Sequence, residues 1–283
     1  MDVSCLDYRL TEAERRQFQE EGYFIVENVL PEGKIPVLSA ALDRIDAEYR
    51  LERGLDAYVR TNILDFVGKD EAFIELADWP RVIAKVWDIL GWNIQIYHSH
   101  GGIAPPEPED STRELRFGWH QDSGRLNFEM ECSPRPRISL KVGYLLTDCS
   151  EPGRGNFHVI PGSQLCDTMD FPGGKLSPAH ETGTPVLATR GSAVFFDRRL
   201  WHSASANFWI KPRRMLFYGY SYRWLRPRDD ITVDRFWESF DPIPRQLFGA
   251  STTGGHGYTS PQPDDVPLRA WIEEHAGAEA VAP

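Results

Sequence analysis

The run Phe117-Gly118-Trp119-His120-Gln121-Asp122 sets an imidazole and a carboxylate two residues apart, and Trp201-His202 supplies a second imidazole far downstream. On an extended strand, residues i and i+2 project to one face. His120 and Asp122 then offer a nitrogen and an oxygen to the same point. One more imidazole completes a 2-His-1-carboxylate face with open coordination positions, the ligand set of non-haem Fe(II) oxygenases. Taken alone, the pair is weak. With eight histidines and 42 acidic residues in the chain, roughly one such H-x-D spacing arises by chance, and a hydrogen-bonded core histidine is the competing reading of His120.

Three further features favour the metal reading. Gly118-Trp119 precede the pair and Ser123-Gly124 follow it, which places Asp122 at a strand mouth. His202 comes just after the β-rich run Ala193–Asp197, the kind of later strand that a jelly roll brings across to face an earlier one. Arg213-Arg214 lie eleven and twelve residues beyond His202, at the start of an aromatic strand. Iron held by three protein groups has room for 2-oxoglutarate and dioxygen. The far carboxylate of that cosubstrate needs a fixed cation, for which the planar fork of arginine is suited. Alternation along a strand lets only one of Arg213 and Arg214 point inward.

The elements that must position these groups fall into two halves. Thr11 and Glu14 form a capping box opening a helix to Glu21, Tyr23–Val26 is a short strand, and helical patterns follow over about 31–51 and 73–90, the latter interrupted near Pro80. From Trp92 the pattern changes to short strands: 92–100, 115–122, 137–147, 157–160, 185–189, 192–197 and 214–223. Turn chemistry at Glu151–Gly155, Pro161-Gly162, Pro172-Gly173-Gly174 and Arg190-Gly191-Ser192 separates them. The expected fold is therefore mainly β with N-terminal helices, around a double-stranded β-helix (jelly-roll, cupin-like) core. It reads as a single domain over 1–283: a helical part to about 91, the core over about 92–224 and a polar C-terminal extension over 225–283.

A net charge of −11 on 283 residues disfavours nucleic acid or an anionic membrane as partner. Residues Met1 to Arg16 alternate charges without an apolar stretch, no window approaches a membrane span, and the four cysteines form no C-x-x-C pair. These features predict a cytoplasmic protein; taken with the metal constellation and the motifs below, the expectation is a monomer or weak homo-oligomer acting on a small molecule.

In four places, in order, the chain resembles the phytanoyl-CoA dioxygenase (PhyH) family of Fe(II)/2-oxoglutarate oxygenases, which includes ectoine hydroxylases. Phe18 to Leu30 is similar to the family's helix, Gly-Tyr, strand, Val-Leu entry, and Trp119-His120-Gln121-Asp122 to its W-H-Q-D motif. Gly155 to Gln164 resembles its G-x-L-x-x-x-P-G-S-H segment, and His202, Asn207 and Arg213 its H-G-S-x-x-N…R ending. The likeness spans roughly Leu10 to Trp224. It implies His120, Asp122 and His202 as iron ligands and Arg213 as the cosubstrate anchor, with Arg214 the alternative. Tyr144 and Gln121 stand where the family often places residues beside the cosubstrate. Asp122 is retained, unlike in halogenating members, which replace the carboxylate. Departures are Ala204 for the family's hydroxyl after the distal histidine, Ala104-Pro105-Pro106 for Lys-Pro-Pro, and Gln164 for a histidine.

Arg125, in a loop after the metal pair, Trp201 beside the distal histidine and His98 on the 92–100 strand are further candidates for substrate contact. His98 and His100 share a face and line the pocket, form a second metal site, or are simply hydrogen-bonded strand histidines. Two other functions compete with the 2-oxoglutarate reading: a non-catalytic cupin-like binding protein, and a jelly-roll iron dioxygenase that does not use 2-oxoglutarate. The expected activity is oxidation, such as hydroxylation, of an amino acid, a small acid or a natural-product intermediate, consuming O2 and releasing succinate and CO2.

Overall fold

The computed structural model describes residues 1–112, 114–172 and 176–281; the expected turn residues Gly173-Gly174 lie outside them. Helix α1 (Glu12–Glu21) starts with the expected capping box: the Thr11 hydroxyl accepts from Glu14 N–H at 3.2 Å, and the Glu14 carboxylate accepts from Thr11 N–H at 2.9 Å. Gly22, at φ 82°, ends the helix in the left-handed conformation and feeds β1 (Tyr23–Val26). Helix α2 (Lys34–Arg53) buries Leu38, Leu42 and Ile45, and β2 (Ile63–Leu64) follows. The helical pattern over 73–90 divides where expected, into a 3-10 turn over Glu71–Asp78 and α3 (Pro80–Leu90). Proline is harmless in the first turn, where its missing N–H has no helical partner to lose.

The β half comprises β3 (Ile94–Ala104), β4 (Ser139–Leu145), β5 (Phe157–Val159), β6 (Thr184–Pro185), β7 (Ala193–Asp197), β8 (His202–Ala204) and β9 (Arg213–Tyr222). They form two antiparallel sheets, ordered β1-β7-β4-β9-β3-β2 and β6-β5-β8, the two walls of a jelly roll. The expected strand over 115–122 is reduced to single bridges, Phe117 with Ser177 and His120 with His202, because the segment crosses the margin of the small sheet and meets one neighbour at a time. Residues 124–129, expected as loop, form the short helix α4 (Gly124–Glu129).

Strand alternation sorts the large sheet into two faces. Leu140, Val142 and Tyr144 of β4, with Leu216, Tyr218 and Tyr220 of β9, join the core built under α2 and α3. Leu145, Met215 and Phe217 turn the other way and meet Phe157, Val159 and Val186 of the small sheet. A β-bulge in β3 breaks this alternation. Ile96 pairs with Tyr220 but His98 with Gly219, leaving Tyr97 as the extra residue. Ile94 and Ile96 pack under the helices, whereas beyond the bulge Ile103 does so, and His98 and His100 line the interior.

The polar tail is not a loose extension. Its 3-10 turn over Asp234–Ser239 and helices α5 (Pro242–Leu247) and α6 (Pro267–Ala276) bring Val233, Phe240, Ile243, Leu247, Leu268 and Ile272 into the helical core. The apolar residues are thinly spaced along 225–283, which is why composition alone suggests an appendage. Among the described residues, no helix is long and apolar enough to cross a membrane.

Gly219 sits in register between His98 and Lys141, and a Cβ there would lie 2.7 Å from Tyr97 Cε1. Gly219→Ala should cost about 1–3 kcal/mol of unfolding free energy, the usual range for overpacking a buried ring. Urea denaturation reads this, and an unchanged midpoint would contradict the packing described.

Candidate metal centre and its cavity

His120 and His202 are backbone partners. His120 N–H donates to His202 O at 3.0 Å and His202 N–H to His120 O at 2.9 Å. Such a pair holds its side chains close on one face, and the two ring centroids are 4.3 Å apart. Two residues on, Asp122 N–H donates to Arg198 O at 3.0 Å, fixing the strand end that carries the carboxylate. One ligand atom from each of His120, Asp122 and His202 lies within 4.8 Å of the others.

Hydrogen bonding prepares each of these atoms. The Nδ1 of His120 is 2.8 Å from Gly118 O, and that of His202 is 2.8 Å from Leu200 O. A carbonyl only accepts, so each ring carries its proton on Nδ1 and leaves the Nε2 lone pair free. Burial, then the neighbouring His120, pull the His202 imidazole down to about 3, which keeps it neutral. Asp122 has one oxygen, Oδ1, 2.9 Å from the ammonium of Lys141, while Oδ2 is buried with no hydrogen-bond partner. Burial works to raise this carboxyl, but Lys141, with His202 and His120, outweighs it and holds Asp122 well below the usual carboxylate range. A buried carboxylate oxygen without a donor is costly. A hard or borderline divalent cation held with two imidazole nitrogens satisfies it, so the donor set fits Fe(II).

This cluster lies at the wall of a cavity of about 1020 Å³, at the upper end of small-molecule sites. Phe157, Phe196 and Phe217 form an apolar side, with Phe157 and Phe196 packed 5.3 and 5.1 Å from the His202 ring. Arg213 points into the cavity with its Nε donating to Gly155 O at 3.1 Å. Burial, then the charge of Arg60, bring its guanidinium down to about 9. Arg214 points the other way and pairs with Asp43 at 2.6 Å, so alternation separates the two arginines as expected.

Other sequence candidates fare differently. Tyr144 does not reach the cavity: it lies on the helical face of β4, fully buried, with its hydroxyl donating to Leu76 O at 3.3 Å. Lys141, of opposite parity on the same strand, takes the cavity side. Trp201 also turns away from the cavity, as the neighbour of an inward histidine must. Its indole N–H donates to Cys166 O at 2.8 Å and its ring packs on Phe171. The Gln121 amide is engaged by protein, donating to Cys166 O at 3.1 Å and to Arg199 O, and accepting from Arg135 at 3.2 Å. It braces the segment rather than presenting a free amide to a cosubstrate. Arg125 sits at the cavity rim on α4, exposed and paired with Glu129.

His98 is fully buried and serves as a link rather than a contact. Arg228 Nη1, which only donates, lies 3.0 Å from His98 Nε2, and His100 Nδ1 lies 2.8 Å from the same atom. His98 Nε2 is thus the acceptor, its Nδ1–H faces Asp229 at 3.6 Å, and His100 must donate through Nδ1. The Nε2 of His100 remains an acceptor, on a ring that lines the cavity and stacks on Phe217 at 4.4 Å. Burial, then Lys141, push this imidazole well below its ordinary value, so it stays neutral. Lys141, Arg60, Arg228 and Asp229 were not legible as site residues. Lys141, Arg60 and the pair Arg228-Asp229 come from three separate segments, which meet at the cavity or against His98 only in the folded chain.

Comparison with known proteins agrees with this architecture. The family model described as Phytanoyl-CoA dioxygenase (PhyH) matches residues 18–215. An ectoine dioxygenase of Nocardia farcinica is 25% identical over 232 residues, covering 71% of this chain and 74% of that protein. HygX of Streptomyces hygroscopicus, solved with nickel and 2-oxoglutarate, superposes with a TM-score of 0.62 at 16% identity, over 77% of this chain and 89% of its own. The epimerase SnoN, in complex with Fe3+, alpha-ketoglutarate and nogalamycin RO, gives 0.58 at 20% identity, over 79% and 88%. The carbocyclase SnoK from nogalamycin biosynthesis gives 0.58 at 19%, over 82% and 92%. At these identities the solved structures speak for the fold.

Lys141→Met removes the counter-charge of a mostly buried carboxylate and should cost about 3 kcal/mol in metal-free protein. Saturating Mn(II) or Fe(II) supplies that charge and should recover more stability in the variant than in the wild type. Urea denaturation with and without metal measures both. An equal loss in the two conditions would contradict the pairing of cation site and Asp122.

Proposed function

Because the chain belongs to the phytanoyl-CoA dioxygenase family, we propose that His120, Asp122 and His202 hold iron(II) for a 2-oxoglutarate-dependent oxidation of a small molecule, with Arg213 anchoring the cosubstrate. The observation that carries this reading is the convergence of two tautomer-fixed imidazoles and a half-unsatisfied carboxylate on one point of a cavity that also contains a buried arginine. Iron, 2-oxoglutarate and dioxygen together couple decarboxylation of the cosubstrate, giving succinate and CO2, to oxidation of a C–H bond.

The chain's own residues divide the remaining work. The backbone carbonyls of Gly118 and Leu200 keep the imidazole protons on Nδ1, so both Nε2 atoms stay available. Lys141 fixes Asp122 through Oδ1, which also lies 4.0 Å from His202 Nε2, so the carboxylate is held facing the imidazole that would share the metal. Arg213 offers a bidentate fork to the distal carboxylate, and its burial strengthens that bond relative to water. Phe157 and Phe196 pack on the His202 ring and, with Phe217, keep water from that imidazole. An iron dioxygenase with no such cosubstrate has no use for Arg213, and neither has a binding protein that merely keeps the fold.

The substrate reading rests on volume and wall chemistry. A cavity of about 1020 Å³ holds much more than a five-carbon dicarboxylate. Its wall offers the His100 acceptor and, at the rim, Arg125. The His100 acceptor suits a hydroxyl donor of a bulky compound, and the Arg125 guanidinium suits an oxygen acceptor or carboxylate on it. HygX, solved with hygromycin B bound, and SnoN, with nogalamycin RO, are neighbours with natural products in hand. A natural-product intermediate is therefore our substrate class, ahead of a free amino acid or small acid.

Release of CO2 from 2-oxoglutarate in the presence of Fe(II) and O2 tests the cosubstrate. Arg213→Met should lower kcat/KM for 2-oxoglutarate by roughly 100-fold or more, as expected for losing a charge-assisted bidentate contact in a buried site. Equal turnover in wild type and variant would remove Arg213 from the proposal.

A further inference from the structure

The cosubstrate end of the cavity contains a second guanidinium. Arg60, on the segment between α2 and β2, lines the same cavity as Arg213, and its Nη2 donates to Ser205 O at 2.7 Å. Neither arginine has a carboxylate within ion-pairing distance among the described residues, whereas the adjacent Arg214 is paired with Asp43. Burial lowers the guanidinium of Arg60, and its charge in turn helps to lower that of Arg213. The charge of Glu107, which lines the same cavity, partly offsets that of Arg60, whereas no carboxylate among the described residues acts on Arg213, so the two cations together still have room for an anion.

Each guanidinium is set in place before any ligand arrives. Arg213 is tied to Gly155 O and Arg60 to Ser205 O. The residue after Arg60, Thr61, is fixed to β3: its N–H donates to Ile103 O at 3.0 Å, and its hydroxyl donates to Asp46. The cross-strand partner of Arg213 is Ala104, whose methyl group leaves the space beside the guanidinium open. A carboxylate has two oxygens and about four acceptor directions, enough for two arginines approaching from different elements. Cations held this way lose little entropy on binding.

We propose that Arg60, from outside the jelly-roll core, is a second binding cation for the distal carboxylate of 2-oxoglutarate, completing a two-arginine clamp with Arg213 of β9. This rests on the 2-oxoglutarate reading above. It makes the segment before β2 part of the cosubstrate site, with Glu107 the acidic neighbour that a bound carboxylate would displace from influence on Arg60. It also sets specificity: the clamp selects 2-oxo acids with a second carboxylate over those with an alkyl tail.

The test is calorimetric titration of Mn(II)-loaded protein with 2-oxoglutarate and with 2-oxopentanoate, which has the same keto-acid head but no distal carboxylate. Arg60→Met should weaken 2-oxoglutarate binding by about tenfold or more and leave 2-oxopentanoate binding within twofold of wild type. Arg60→Lys should regain part of the loss. Unchanged 2-oxoglutarate affinity in Arg60→Met, or equal weakening of both ligands, overturns the clamp while leaving the cosubstrate assignment standing. Failure of the wild-type protein to bind 2-oxoglutarate overturns both.

Discussion

The mutual backbone hydrogen bonds between His120 and His202 are the constraint on which the site depends. An antiparallel pair that exchanges both N–H···O bonds has its α-carbons about 5.5 Å apart and its side chains on one face. The imidazole spacing is therefore set by backbone geometry rather than by the metal. The small sheet needs little length to do this, since β8 is three residues long. What it needs is support, and the large sheet provides it through the aromatic contacts of Phe157, Phe196 and Phe217. The carboxylate is fixed independently, by Asp122 N–H on Arg198 O and by Lys141 reaching across from β4. Two sheets thus share the site: one carries the ligands, and the other supplies the counter-charge and the cosubstrate anchor.

The two faces of the large sheet explain how a small recess can tolerate so many charges. One face is packed against α2, α3 and the C-terminal helices with little but aliphatic and aromatic side chains. That face carries the hydrophobic stabilisation and leaves the other free for function. The cost is paid in buried polar groups, each of which needs a partner: Arg213 donates to Gly155 O, Lys141 to the Asp122 carboxylate and Arg228 to His98, and Asp229 accepts from Ser99 N–H. Among the described residues, Asp122 Oδ2 has no hydrogen-bond partner, and neither Arg60 nor Arg213 has an ion-pair partner.

Much of this was legible in the residues themselves. The capping box at Thr11, the break at Pro80 and the order of short strands follow from local rules of spacing, and alternation requires Arg213 and Arg214 to face opposite ways without saying which faces inward. The metal pair was legible as chemistry, because type and spacing coincide within one short segment. What was not legible depended on register. Ile94, Ile96, His98 and His100 have one parity, and simple alternation would send the histidines to the face where the isoleucines pack; the bulge at Tyr97 reverses them. Tyr144 and Trp201 are aromatic and adjacent to the right elements, yet each has the wrong parity for the cavity. Lys141 carries no local signal at all: a lysine amid Leu140, Val142 and Tyr144 becomes meaningful only when β4 is laid beside β9 and opposite Asp122. The C-terminal helices were underrated for a different reason, since a few well-placed apolar residues suffice to dock a helix onto an existing core.

The central claim is that one point in this cavity binds iron through His120, Asp122 and His202 and leaves room for 2-oxoglutarate. Anaerobic addition of Fe(II) and then 2-oxoglutarate tests it directly, by the visible charge-transfer band of a bidentate keto acid on ferrous iron. The account predicts that the band forms in the wild-type protein and is lost in a folded His202→Ala variant. No band in folded wild-type protein, or an undiminished band in the variant, would contradict it.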